Sequence, residues 1–342
     1  MFYILDKISD DLINFIHMKR GDNEKVELEL KDMAALYSTD VIVSCAYGVD
    51  AKSLENPKGE FPTLGRYMFE PTIWRGFEFL SAFMLPQVTK FFGFKLFTDK
   101  GGKFIEETIT HVMNEREKNG IKRNDLVDTL IELKNDDDPF DINIIMAQAA
   151  VFFSAGYETS SITNSFALYE IAKKEEIQNR VRNEIRDMLL RNDGKVTYDS
   201  LMNATEMPYL HQIINETLRL YPIIPILDRV CTNPDGYSLE PYGDFKIPIG
   251  MPVYIPVYAL HLDADNFPEP MKFNPDRFSP DNIHNIKPFT FFPFGTGPRN
   301  CIGERFGLMQ VITGIVKVLK EFKLEPSPQT PTEIVIEKRA FL

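Results

Sequence analysis

One cysteine follows a loop rich in glycine and proline, and its surroundings suit a sulfur that binds a metal. The loop reads PFGTGPRNCIG over residues 293–303. Gly295 and Gly297 allow positive φ in the turn, and Pro298 fixes the backbone before Cys301. Apolar residues at helical spacing follow, so Cys301 lies near a helix amino terminus, where unpaired amides and the helix dipole favour a thiolate. These features predict a thiolate ligand for haem iron.

Three more loop residues are candidates for haem contact. Gly303 carries no side chain that would press on the ring, and Phe294 is the aromatic residue of the loop. Arg299 can donate a charge-assisted hydrogen bond to a haem propionate. The alternative is a nucleophilic cysteine, as in a thiol hydrolase, which would need a histidine base. The chain has five histidines, and none has a recognisable catalytic setting.

The loop resembles the haem-binding signature of the cytochrome P450 monooxygenases, in which a cysteine thiolate holds the iron of haem b. The resemblance covers essentially the whole chain and is greatest to insect microsomal members that metabolise xenobiotics. It implies a mainly α-helical fold with small β-sheets, in one domain over residues 1–342. We expect this chain to lack the amino-terminal part of that fold and its last carboxyl-terminal strands.

A long helix is predicted over residues 141–173. Glycine in a helix interior costs about 1 kcal/mol relative to alanine, so Gly156 needs a reason. Ala155 and Thr159 share a face with Phe152 one turn away, and a threonine hydroxyl can bond the i−4 carbonyl and open the helix slightly. This predicts a pocket for dioxygen. A closely packed helix crossing at Gly156 is the alternative.

The resemblance implies roles for this helix. Thr159 would orient bound dioxygen and its water, and Glu158 would relay protons from solvent. Ala155 and Gly156 would border the haem, and Phe152 would contact the substrate.

A glutamate and an arginine, Glu216 and Arg219, lie three residues apart in a predicted helix. Such a pair is most often a solvated surface pair worth a few tenths of a kcal/mol. Residues 274–278, with sequence NPDRF, resemble the family segment that brings a second arginine, Arg277, onto the same glutamate. The resemblance therefore implies a buried network beneath the haem loop, retained for the geometry that it fixes.

Prolines predict an extended path over residues 221–229. By resemblance, Ile223 and Ile224 would line the substrate pocket, and Arg229 would bind a second haem propionate.

The composition indicates a globular protein of enzyme size. Its 342 residues are 44% hydrophobic, which allows a large core. Three cysteines form no disulfide framework, and a net charge of −12 argues against a nucleic-acid partner. Apolar spacing predicts helices near residues 1–19, 30–47, 101–118, 141–173, 175–191, 207–220 and 302–322, with short extended segments between residues 222 and 300.

The resemblance also implies partners. NADPH-cytochrome P450 reductase, with cytochrome b5 as a further candidate, would pass electrons from NADPH, and the substrate would be a lipophilic small molecule. A cationic face near the cysteine would suit an acidic flavoprotein, although a solvated helix face is the alternative. Its members are Arg299, Arg305, Lys317, Lys320 and Lys323.

Aromatic residues crowd residues 69–97, which predicts packed helices. The resemblance implies instead lid helices over the substrate channel, parts of which touch a bilayer. The parent protein is expected at the cytosolic face of the endoplasmic reticulum membrane, although the opening helix is amphipathic and cannot serve as an anchor. Family members continue beyond Arg339–Leu342 into a final strand pair. The alternative function is therefore a catalytically silent truncated fragment that does not retain haem.

Overall fold

The computed structural model describes residues 1–95, 97–138 and 140–335. Helices dominate, as the apolar spacing predicts. Residues 339–342, beyond which the family is expected to form a final strand pair, lie outside the described residues. The α-helices are α1 (Phe2–Arg20), α2 (Leu30–Ile42), α3 (Glu60–Phe69), α4 (Ile73–Met84), α5 (Pro86–Phe92), α6 (Asp99–Asn119), α7 (Leu126–Lys134), α8 (Ile142–Lys173), α9 (Glu175–Arg191), α10 (Tyr198–Met202), α11 (Pro208–Leu220), α12 (Val257–His261) and α13 (Glu304–Glu321).

Every helix predicted from apolar spacing is present, within a few residues of its expected ends. The Asp141 side chain accepts a hydrogen bond from the Asn143 N–H at 2.7 Å and so caps α8. Thr197 and Ser200 form a capping box at the start of α10. A π-helical turn, Val43–Tyr47, continues α2. Helices α3, α5, α7 and α12 are too short for a clear repeat, and the aromatic crowding obscures the period of α4.

Contacts within the chain group into two compact units. The first comprises Met1–Ile214 together with the residues from Gly303 onward, and the second is Asn215–Ile302. Helix α11 begins in the first unit and ends in the second. The prediction of one domain stays a prediction.

The second unit contains two small antiparallel sheets. In one, β1 (Leu227–Val230) pairs with β4 (Pro252–Ile255), and in the other β2 (Tyr237–Ser238) pairs with β3 (Lys246–Ile247). The mainly helical class with small sheets is therefore confirmed. Among the described residues, no helix has the length and apolar character that crossing a membrane requires.

Helix α8 is the centre of the first unit. Its Ile145, Ala149 and Phe153 are at most 1% exposed, and the Tyr47 hydroxyl donates to the Ala149 carbonyl at 2.6 Å. Gly156 lies where α8 meets α2, and a Cβ there would be 2.5 Å from Ile42 Cδ1. Close helix packing therefore explains this glycine without a ligand, and contact of Gly156 with a cofactor stays a prediction.

We expect Gly156→Ala to lower the free energy of unfolding by about 1–3 kcal/mol, because the new methyl group overpacks against Ile42. Gly102 in α6 is the matched control, since nothing lies within 4 Å of a Cβ there. Gly102→Ala should be neutral or stabilising by up to about 1 kcal/mol. Urea unfolding followed by circular dichroism measures both, and shortening Ile42 to valine should recover part of the loss. Equal losses from both glycine substitutions would contradict the packing argument.

Candidate functional site

The loop before Cys301 is held by its own backbone. The Cys301 N–H donates to the Phe294 carbonyl at 2.8 Å, and the Gly295 N–H donates to the Phe292 carbonyl at 2.9 Å. Gly295 and Gly297 adopt φ of 73° and 78°, the left-handed conformation that the sequence predicts at this turn. The backbone that carries the cysteine is therefore defined by hydrogen bonds and by glycine conformation.

The side chains at the end of this loop point to solvent. Cys301 and Arg299 are exposed, and Ile302 is 92% exposed. Gly303 caps α13. Cysteine and isoleucine are among the residues most often buried, so their exposure side by side is unusual. A haem is large, flat and apolar on its faces, and these residues fit it: a thiol within reach, an apolar neighbour and small residues around both.

A buried ion pair lies in the same unit, between Glu216 and Arg219 at the end of α11. Both side chains are fully buried, and two parallel hydrogen bonds join them, Nε to Oε2 at 2.7 Å and Nη2 to Oε1 at 2.8 Å. Arg277 Nε lies 3.4 Å from Glu216 Oε1, and the Asn274 N–H donates to the same oxygen at 2.8 Å. The structure thus brings Glu216, Arg219 and Arg277 together.

Further contacts satisfy the two arginines. The remaining Arg219 nitrogen, Nη1, donates to the His261 carbonyl at 3.0 Å, and the Phe267 ring lies 5.3 Å from the guanidinium carbon. Arg277 also donates to the Glu269 carbonyl at 2.8 Å. Because Glu216 and Arg219 are fully buried and paired, removal of one would leave the other charge without its main partner.

In the first unit, Thr159 lies on a partly exposed stripe of α8. Its hydroxyl donates to the Ala155 carbonyl at 2.6 Å, the i−4 bond that the sequence suggests. Ala155 is exposed, Val151 is 47% exposed, and Phe152 is half-buried. An apolar stripe left open on an otherwise buried helix fits contact with an apolar group.

Glu158 faces another side of α8. Its carboxylate is 9% exposed and lies 2.7 Å from Lys31 Nζ, which also donates to the Ser161 hydroxyl at 2.9 Å. Burial lowers the pKa of Lys31, and the attraction of Glu158 opposes this. Lys31, Arg66, Tyr157 and Glu158 are among the residues that line a cavity of about 200 Å³. Glu158 therefore adjoins a cavity large enough for water, with Lys31 and Arg66 among its polar lining residues.

No sequence motif marks Lys31 as a functional residue. It lies in the first turn of α2, and its partner Glu158 is distant in the chain. Only the packing of α2 on α8 brings the two charges together.

The other predicted ligand-contacting residues lie at the start of the extended segment. Residues 221–226 form neither helix nor strand, as their prolines predict. Ile223 is half-buried, and Ile224 is 43% exposed. Arg229 in β1 donates from Nη1 to the Asp228 carbonyl at 2.7 Å. The roles of these three residues toward substrate and haem stay predictions.

The expected cationic docking face is smaller than the sequence suggests. Lys317 is buried and paired with Asp6 at 2.9 Å and Asp10 at 2.6 Å. Lys323 is paired with Glu175 at 3.0 Å. Lys317 belongs to the packing of α13 on α1, and its charge is not available to a partner.

His261, at the end of α12, is a residue that sequence reasoning missed. Its side chain is fully buried, and burial lowers its pKa to about 4. A lone histidine in sequence carries no sign of such a setting.

Comparison with known proteins identifies relatives of the whole chain. The model of the family Cytochrome P450 matches residues 1–342. The chain is 42% identical to the probable cytochrome P450 6g2 of Drosophila melanogaster, in an alignment that covers 100% of this chain and 68% of that relative. It is 41% identical to cytochrome P450 6j1 of Blattella germanica, over 100% of this chain and 66% of that protein. The chain thus spans about two thirds of the length of these relatives.

We expect Arg219→Leu to lower the free energy of unfolding by about 3–5 kcal/mol, because Glu216 would keep a buried charge without its bidentate partner. Arg191 pairs with Glu206 in an exposed setting and is the matched control. Arg191→Leu should change stability by less than about 1 kcal/mol. Denaturant titration measures both variants. A loss below about 1 kcal/mol for Arg219→Leu would show that the pair is not needed for folding.

His261 should make stability dependent on pH. Its pKa is about 4 in the folded protein and 6.5 in the unfolded chain, so the unfolded chain binds more protons between these values. The stability due to neutral His261 is complete above pH 6.5 and is lost as the pH falls toward 4. Relative to His261→Gln, wild-type protein should lose about 2 kcal/mol between pH 7.5 and pH 5. Parallel pH profiles for the two proteins would contradict the buried neutral imidazole.

Proposed function

The chain belongs to the cytochrome P450 family of haem-thiolate monooxygenases, and we propose that it binds haem b through the Cys301 thiolate and oxygenates a lipophilic small molecule. When bound, the haem would supply dioxygen activation, which inserts one oxygen atom into the substrate and reduces the other to water. The observation that carries the proposal is the exposed Cys301 at the end of a loop whose conformation is fixed by a hydrogen bond from the Cys301 amide.

Residues around the cysteine would hold the haem. Ile302, Phe294 and Gly303 would contact the macrocycle near the thiolate. Ala155 stays a predicted haem contact, by resemblance to the family. Arg299 is exposed and free to turn toward a propionate. Arg229 uses Nη1 for a carbonyl, and its other guanidinium nitrogens can donate to the second propionate.

Thr159, Glu158 and Lys31 would manage protons. Thr159 would orient a water molecule through its hydroxyl. This hydroxyl donates to the Ala155 carbonyl, beside the exposed stripe, and its oxygen can still accept a hydrogen bond. Glu158 would take protons from water in the adjoining cavity and pass them on. Lys31 would hold the carboxylate in one orientation between proton transfers.

We also propose a membrane-bound setting for the parent protein, at the cytosolic face of the endoplasmic reticulum. Helices α4 and α5 support it, because large apolar side chains on both are exposed, including Trp74 at 61% and Phe91 at 83%. NADPH-cytochrome P450 reductase would supply electrons, with cytochrome b5 as a second donor. The substrate would be a xenobiotic, an insecticide, or an endogenous lipid or hormone.

A spectrum of the reduced, haem-loaded chain under carbon monoxide tests the proposal. We expect the strongly red-shifted Soret band of thiolate-ligated haem in wild-type protein, and its loss in Cys301→Ala, because the alanine offers no sulfur. Cys231→Ala is the matched control, since Cys231 is half-buried near β3, where its thiol contacts the Ile247 carbonyl. That variant should keep the band.

Thr159→Ala separates ligation from proton handling. It should keep the band and, with reductase present, release more hydrogen peroxide per NADPH consumed. The reason is that the water molecule that delivers protons loses the hydroxyl that orients it. A band that survives Cys301→Ala, or no band in wild-type protein reconstituted with haem, would overturn the proposal.

A further inference from the structure

We propose that His261 is a positioning residue whose imidazole links the buried Glu216–Arg219 pair to the backbone segment that ends at Cys301. The inference rests on the proposed function only for the role of Cys301. Its contacts all lie within the second unit and exist in the chain without haem.

The backbone of His261 is fixed by the ion pair. Arg219 Nη1 donates to the His261 carbonyl at 3.0 Å, while the other two guanidinium nitrogens bind Glu216. Phe267, which is 2% exposed, covers the guanidinium group. The backbone of His261 is therefore anchored through its carbonyl to a fully buried cation.

The side chain of His261 reaches the segment before the cysteine loop. Its Nε2 accepts a hydrogen bond from the Phe292 N–H at 3.3 Å. The imidazole lies between two aromatic rings, with its centroid 5.3 Å from that of Phe291 and 5.8 Å from that of Phe292. Phe291 in turn packs on Phe278 at 4.7 Å. Since Nε2 accepts a hydrogen bond, the imidazole is neutral and carries its proton on Nδ1.

Two further hydrogen bonds lead from Phe292 to the cysteine. The Phe292 carbonyl accepts from the Gly295 N–H at 2.9 Å, and the Phe294 carbonyl accepts from the Cys301 N–H at 2.8 Å. Phe292 is therefore held at both ends, its N–H by His261 and its carbonyl by the loop. Pro293 follows and has no N–H to donate.

Amide hydrogen exchange on the haem-free chain tests the proposal. His261→Leu keeps the apolar volume but removes the acceptor, and it should speed exchange in the peptide of residues 291–301 about tenfold. His261→Gln can place an oxygen near the position of Nε2 and should stay close to wild-type rates. Exchange in residues 246–255 of the same unit is the internal reference, and His284→Gln, at an exposed histidine, is the matched control.

Selective acceleration at residues 291–301 in His261→Leu, with protection kept in His261→Gln, supports the proposal. Uniform acceleration across both peptides, or equal acceleration in both His261 variants, would overturn it, because His261 would then act only through packing. Should His261→Leu not fold, long-range ¹H–¹⁵N spectra of wild-type protein decide: an Nδ1–H tautomer supports the proposal, and an Nε2–H tautomer sinks it. Haem is absent throughout, so a failed carbon monoxide spectrum would leave this result standing.

Discussion

The bidentate pair of Glu216 and Arg219 is the contact on which the second unit depends. Both side chains are fully buried, and each nitrogen of the guanidinium fork has an acceptor. Taking two charges from water costs several kcal/mol per ion, and an apolar replacement can be equally stable. An apolar replacement could not supply the directional hydrogen bonds of the pair. The pair contacts the His261 carbonyl, the Asn274 amide and Arg277, and so holds the end of α11, the end of α12 and residues 274–277 in one arrangement.

One turn of α8 shows how neighbouring residues serve different purposes. Successive residues of a helix point about 100° apart. Gly156 therefore meets Ile42 of α2, Glu158 meets Lys31 and a cavity of about 200 Å³, and Thr159 lies beside the open stripe. One turn of α8 can thus serve helix packing on one face and the proposed proton route on another. The two explanations of Gly156 and Thr159 were alternatives in sequence, but the helix geometry allows both, one on each face.

Local signals made much of this structure predictable from sequence. Asp141 and Thr197, residue types typical of helix amino termini, cap α8 and α10, and Gly295 and Gly297 adopt the predicted positive φ. These features depend on a few consecutive residues, which a single sequence displays. Lys31 with Glu158, and Lys317 with Asp6, depend instead on which helices pack together. A cationic residue reads the same in sequence whether its charge is buried or free, so Lys317 was wrongly assigned to a docking face.

In the second unit, the side chain of Cys301 is exposed while its backbone is held by hydrogen bonds. A thiolate that binds a metal must be exposed enough to reach the metal. An exposed loop, however, has few apolar contacts to hold it in place. Cys301 and Ile302 are exposed, and the order of their backbone comes from hydrogen bonds that begin in a buried region. His261 is well suited to this transfer, because its carbonyl meets the buried cation and its imidazole meets the Phe292 amide. A chain of directional bonds can carry order outward from a charged core where hydrophobic packing would require burial of the cysteine itself.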